Sequence, residues 1–177
     1  MIKNKSAITW TFGIILILAG VVWWLGTQGS ASSAVITDYK NATYMIEGQR
    51  VTLVDGHAES VDAPGASTKT VTQYFGNPAT GDLNGDGALD VAFVLTQSSG
   101  GSGTFYYAVA ALKTVSGYQG TTAILLGDRI APQTTEIQNG TLTVNYADRK
   151  SGDPMTKLPS VGMIKYLKVE GANLIEK

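Results

Sequence analysis

Val91-Ala92-Phe93-Val94-Leu95 and Phe105-Tyr106-Tyr107-Ala108-Val109-Ala110-Ala111-Leu112 are the two runs whose reading decides the fold. Both are continuously apolar, the pattern of strands covered on both faces rather than strands with one face in water. Gln97-Ser98-Ser99-Gly100-Gly101-Ser102-Gly103 lies between them. Such a flexible connection predicts an antiparallel pair at the centre of a sheet.

Working outward, short β-branched and aromatic runs alternate with turn residues. Thr43-Tyr44-Met45-Ile46 and Arg50-Val51-Thr52-Leu53-Val54 flank a turn at Glu47-Gly48-Gln49, and Asp55-Gly56 turns the chain again. Residues 134–138 and 141–146 meet through Asn139-Gly140, a dipeptide in which both residues tolerate positive φ. Leu142, Val144 and Tyr146 alternate with Thr141, Thr143 and Asn145, which describes a half-buried strand. Residues 164–169, a turn at Gly171 and a strand near 173–175 close the chain. Residues 68–74 could form a short helix, but Val71 and the aromatics favour a strand. The prediction is an all-β domain over 35–177, a mainly antiparallel sandwich or open barrel. No repeat of 20–50 residues recurs, against a solenoid or propeller.

The N-terminal part reads differently. Residues 1–34 contain no acid, and Lys3 and Lys5 precede an uncharged apolar run over 8–25. At 1.5 Å per residue that run spans roughly 27 Å, enough to cross a bilayer core. Trp10 stands near one end and Trp23 and Trp24 near the other, as in an aromatic belt. The expected organisation is a cytoplasmic segment 1–7, one transmembrane helix 8–25 acting as a signal anchor, a Gly/Ser-rich linker 26–34 and an extracytoplasmic domain 35–177. The alternative is secretion after cleavage near Ala34, where Ser32-Ser33-Ala34 offers small residues; the run exceeds the usual signal-peptide core of about 7–15 residues. The chain has no cysteine, which excludes disulfides and thiol lipidation.

Beyond Lys3 and Lys5 the chain carries 11 basic against 14 acidic residues, with no basic stripe. Nucleic acid is not an expected partner. No Gly-Lys-Ser/Thr follows Gly100–Gly103, so neither is a nucleotide. His57 is the single histidine, on a turn after Asp55-Gly56, and without cysteine it can build no conventional zinc cluster.

One stretch demands particular chemistry. Asp82-Leu83-Asn84-Gly85-Asp86-Gly87-Ala88-Leu89-Asp90 places oxygens at loop positions 1, 3, 5 and 9, with Gly87 at position 6 and the Ala88 carbonyl at position 7. That is a donor set for a hard divalent cation, Ca²⁺ above all. The competing reading is a metal-free Asp/Asn/Gly turn. Phe93 stands at position 12, where an EF-hand has its glutamate, and a strand follows instead of a helix.

With that departure, Gly81–Val91 resembles the calcium loop of FG-GAP and VCBS-type repeats, and less closely that of dockerins. The resemblance implies Asp82, Asn84, Asp86, Ala88 (through its carbonyl) and Asp90 as Ca²⁺ ligands; with no catalytic partner nearby in sequence, the expected role of the ion is a structural clip that fixes entry to the strand over 91–95. It covers about a dozen residues. The outer domain is also similar to short, uncharacterised, membrane-anchored bacterial proteins.

Two polar segments, Gly127-Asp128-Arg129 and the link 147–160, are candidates for contact with a partner or for salt bridges across neighbouring turns. Two functional readings follow. One is a membrane-anchored extracytoplasmic binding or structural module, stabilised by one Ca²⁺ and acting on a protein or cell-envelope partner. The other is an envelope hydrolase with acids such as Asp128, Asp148 or Asp153 in a cleft.

Overall fold

The computed structural model describes residues 38–61 and 68–177, all within the unit Val35–Lys177. The predicted segments 1–7, 8–25 and 26–34 lie outside the described residues. Among the described residues no helix is long and apolar enough to cross a membrane.

The described chain is all-β. A single 3₁₀ turn, Tyr39–Asn41, precedes β1 (Thr43–Ile46), β2 (Gln49–Thr52), β3 (His57–Val61), β4 (Lys69–Gly81), β5 (Asp90–Ser98), β6 (Phe105–Thr114), β7 (Gly117–Gly120), β8 (Ile124–Asp128), β9 (Ala131–Gln138), β10 (Thr141–Asp148), β11 (Val161–Glu170) and β12 (Asn173–Glu176). The central sheet has the order β3-β4-β5-β6-β7, with β8 also paired to β6. A second sheet runs β12-β11-β10-β9, and β1-β2 form a two-stranded third. All pairings between named strands are antiparallel.

The two apolar runs are the adjacent strands β5 and β6, in a register that pairs Val91 with Ala111, Phe93 with Val109 and Leu95 with Tyr107. The period of two sends alternate residues to opposite faces. Val91, Phe93, Leu95, Tyr107, Val109 and Ala111 join Tyr44, Ile46 and Leu53 in one core. Ala92, Val94, Ala108, Ala110 and Leu112 join Leu142, Val144, Tyr146, Leu167 and Leu174 in the other. The central sheet is therefore covered on both sides, and its two middle strands are apolar throughout for that reason. The all-β, antiparallel expectation holds, in three sheets, with the β1–β2 hairpin on the face of the central sheet opposite the four-stranded one.

The hairpin turns follow their residues. Glu47-Gly48 and Asn139-Gly140 both have positive φ at both positions (49° and 79°; 51° and 68°), the backbone that two-residue hairpins require. The turn ends one residue earlier than the sequence suggests, with Gln49 already in β2. β4 is much longer than the expected 68–74 strand. It passes through Gly76-Asn77-Pro78 by two register shifts, with φ of 133° at Gly76 and 51° at Asn77, and delivers Gly81 to the start of the loop.

Candidate metal centre

The loop joins the end of β4 to the start of β5, and its own side chains hold it. The Asp82 carboxylate accepts the Gly85 amide on Oδ1 at 2.7 Å and the Gly87 amide on Oδ2 at 2.9 Å. Asn84 Oδ1 accepts the Asp86 amide at 3.0 Å, and its Nδ2 donates to Asp86 Oδ2 at 3.0 Å. Asp86 Oδ1 accepts the Ala88 amide at 2.7 Å. Gly85 and Gly87 sit at φ of 81° and 83°, which lets two successive turns close without strain. The Gly87 amide, aided by that of Gly85, outweighs partial burial and holds the Asp82 carboxyl below the usual carboxylate range. Asp82 is thus an anion over the physiological range.

Asp90 behaves differently from the other four. It is fully buried at the base of the loop. Its Oδ2 accepts the Leu83 amide at 2.9 Å and its Oδ1 accepts the Lys113 amide at the end of β6 at 2.8 Å. The side chain therefore ties the loop to the central sheet. Leu83 assists, since its side chain is buried in the core shared with β10 and β11.

The five residues can be tested against a cation on their chemistry. All the donors are hard oxygens, the kind Ca²⁺ takes at about 2.3–2.6 Å. Each carboxylate oxygen described above accepts one amide hydrogen, and a carboxylate has about four acceptor sites in all, so each retains capacity for a metal. In arrangement the fit is looser. Asp82, Asn84 and Asp86 share one short turn, whereas Asp90 faces the buried Leu83 amide and the part-buried Lys113 amide. Among the described residues, no three Asp, Glu or His side chains gather into a group able to hold a metal ion.

The acids considered for hydrolysis are engaged elsewhere. Burial would raise the Asp128 carboxyl, but the Arg129 guanidinium at 3.0 Å and the Thr104 amide at 2.8 Å lower it further, and the net shift is downward. Asp148 accepts the Arg149 amide at 2.7 Å, and Asp153 pairs with Lys157 at 2.9 Å. The link 149–160 is closed on itself, with Arg149 Nε donating to the Lys157 carbonyl at 2.6 Å and the Ser160 amide to the Asp148 carbonyl at 2.9 Å. His57 opens β3 beside Glu59 at 3.5 Å, about half exposed.

A cavity of about 650 Å³ that the sequence does not announce opens between the β1–β2 turn and the ends of β5 and β6. Glu47, Arg50, Gln97, Phe105 and Leu125 are among its lining residues. Asp128, Asp148 and Asp153 are not. The Tyr107 hydroxyl donates to Glu47 Oε1 at 2.8 Å across 60 positions of sequence, a juxtaposition no local pattern encodes.

No protein-family model, curated protein or solved structure matches this chain. The likeness of Gly81–Val91 to FG-GAP loops therefore stands on those residues alone.

Proposed function

We propose that this chain is a membrane-anchored extracytoplasmic module that acts by binding, with one Ca²⁺ in the Asp82–Asp90 loop as a structural clip. Residues 8–25 supply the anchor and residues 35–177 the exported domain, whose partner is a protein or another component of the cell envelope. Asp82, Asn84, Asp86 and the Ala88 carbonyl would hold the ion at the rim, and Asp90 would close the site from its base. The observation that carries this reading is the seating of the loop. Asp90 links it to both Leu83 and the end of β6, so whatever stiffens the loop also stiffens the entry to the central sheet. Extracellular sites of this kind bind at about 10⁻⁴–10⁻³ M, suited to a steady external calcium level rather than to signalling.

Thermal unfolding of the full-length chain tests the clip. Calcium at ten times Kd contributes about 1.4 kcal/mol by linkage, an upward shift of about 3–6 °C for a domain of this size. Asp86→Ala should abolish the shift. An unmutated chain whose melting point ignores millimolar Ca²⁺ would reduce the loop to a turn.

A further inference from the structure

Six asparagines lie among the described residues, and two of them, Asn84 and Asn139, precede glycine. Asn-Gly is a chemically labile pair. The glycine nitrogen can attack the asparagine Cγ, and a residue without Cβ leaves that approach open. The new N–Cγ bond closes a succinimide ring. The glycine nitrogen gives its proton to water, and the side-chain nitrogen takes up a proton and leaves as ammonia. Water then opens the ring at either carbonyl, which yields aspartate or isoaspartate. The reaction needs a carboxamide free to turn toward the main chain and a following amide that nothing else holds.

The fold withholds these freedoms from five of the six. Asn41 Oδ1 accepts the Asp55 amide at 2.8 Å, and the Ala42 amide donates to the Tyr39 carbonyl at 3.3 Å. Asn77 precedes Pro78, which has no N–H to lose. Asn145 lies inside β10, its Nδ2 donating to Thr134 Oγ1 at 2.8 Å. After Asn173, the Leu174 amide donates to Thr122 Oγ1 at 2.9 Å. Asn84 is held at both ends of its carboxamide by Asp86, and the Gly85 amide donates to Asp82 Oδ1 at 2.7 Å. Asn139 differs. It is exposed on the two-residue turn between β9 and β10, and among the described residues no hydrogen bond engages its carboxamide or the Gly140 amide.

We propose that Asn139 is the site at which this chain deamidates, and that the closed Asp82–Asp90 loop shields Asn84 from the same reaction. The change at Asn139 has structural consequences. Gln138 pairs with Thr141 directly across the turn. Isoaspartate lengthens the main chain by a methylene inside that two-residue connection, so the β9–β10 ladder no longer closes in the same register. The turn also lies against the loop, since a Cβ at Gly140 would stand 3.7 Å from the Leu83 carbonyl oxygen. Deamidation at Asn139 therefore loosens a neighbour on which the loop rests.

The test is incubation of the full-length chain in mildly alkaline buffer, folded and in denaturant, followed by digestion and mass analysis of the separated peptides. Calcium is left out, so the outcome does not depend on whether the loop binds an ion. In the folded chain the Asn139 peptide should convert to a mixture of aspartate and isoaspartate forms. The Asn84 peptide should lag by at least about tenfold, the effect of withholding the attack geometry. In denaturant both pairs are free and should convert at matching rates. An Asn139 that stays intact in the folded chain while it converts in denaturant would overturn the proposal. So would an Asn84 that keeps pace with Asn139 in the folded chain, or one that still lags in denaturant, where the loop no longer exists to protect it.

Discussion

Asp90 is the only charged residue fully buried among the described residues. Both of its oxygens accept amide hydrogens, from Leu83 in a buried bond and from Lys113 in a part-buried one. Leaving a buried amide unsatisfied costs about 1–3 kcal/mol. Asp90→Ala orphans the buried Leu83 amide and loses the part-buried bond to Lys113, so in calcium-free buffer it should destabilise the chain by about 2–4 kcal/mol in a denaturant titration. Asp86→Ala, on the exposed rim, should cost less than about 1 kcal/mol under the same conditions. Equal losses from the two variants would refute the separation of roles. Position in the loop suggests a ligand at Asp90, because spacing along the chain is all the sequence offers. Its second partner, Lys113, lies 23 positions away and becomes its neighbour only through the β5–β6 pairing. The turn bonds of Asp82, Asn84 and Asp86 are local by contrast, and the residue types do foreshadow them.

Among the strands, those with a strong pattern were legible and those with a weak one were not. β5 and β6 announce themselves by continuous apolarity, and β10 by the alternation of Leu142, Val144 and Tyr146 with polar residues. β4 hides its length because Gly76-Asn77-Pro78 reads as a break, while the fold uses it as a bulge. β7, Gly117-Tyr118-Gln119-Gly120, has two glycines in four residues and none of the usual strand signal. Tertiary contact explains that composition. A Cβ at Gly120 would lie 2.3 Å from the Thr43 carbonyl oxygen of β1, a backbone atom that cannot swing away. Gly120 therefore lets the β1–β2 hairpin approach the central sheet. There the Met45 amide bonds the Thr121 carbonyl at 3.1 Å and the Ala123 amide bonds the Met45 carbonyl at 2.8 Å. Gly120→Ala should lower stability by about 1–3 kcal/mol through overpacking. Gly101→Ala, where an added Cβ meets nothing within 4 Å, should stay within about 0.5 kcal/mol of the parent. Thermal melts of the two single variants, read side by side, decide the point.

The domain formed by the described residues is layered, and its layers are unequal. The four-stranded sheet rests on small side chains of the central sheet, Ala92, Ala108 and Ala110, and fills the space with its own Leu142, Val144, Tyr146 and Leu167. On the opposite face the central sheet supplies the bulk. Phe93 lies 5.2 Å from the ring of Tyr39, 5.5 Å from Tyr44 and 5.3 Å from Tyr74, centroid to centroid. Two strands alone are marginal in water, so the β1–β2 hairpin owes its order to this aromatic contact and to its few bonds with residues 121–123. Phe93→Ala removes the shared ring and should cost about 3–5 kcal/mol. The loss should also be uneven in space. Hydrogen exchange should accelerate most in β1 and β2, which open as a unit, while β10 and β11 keep protection closer to the parent's. Val94→Ala, one residue along β5 and facing the other layer, should reverse that ranking. A uniform rise in exchange from both substitutions would mean that the layers unfold together and that the hairpin is no weaker than the rest.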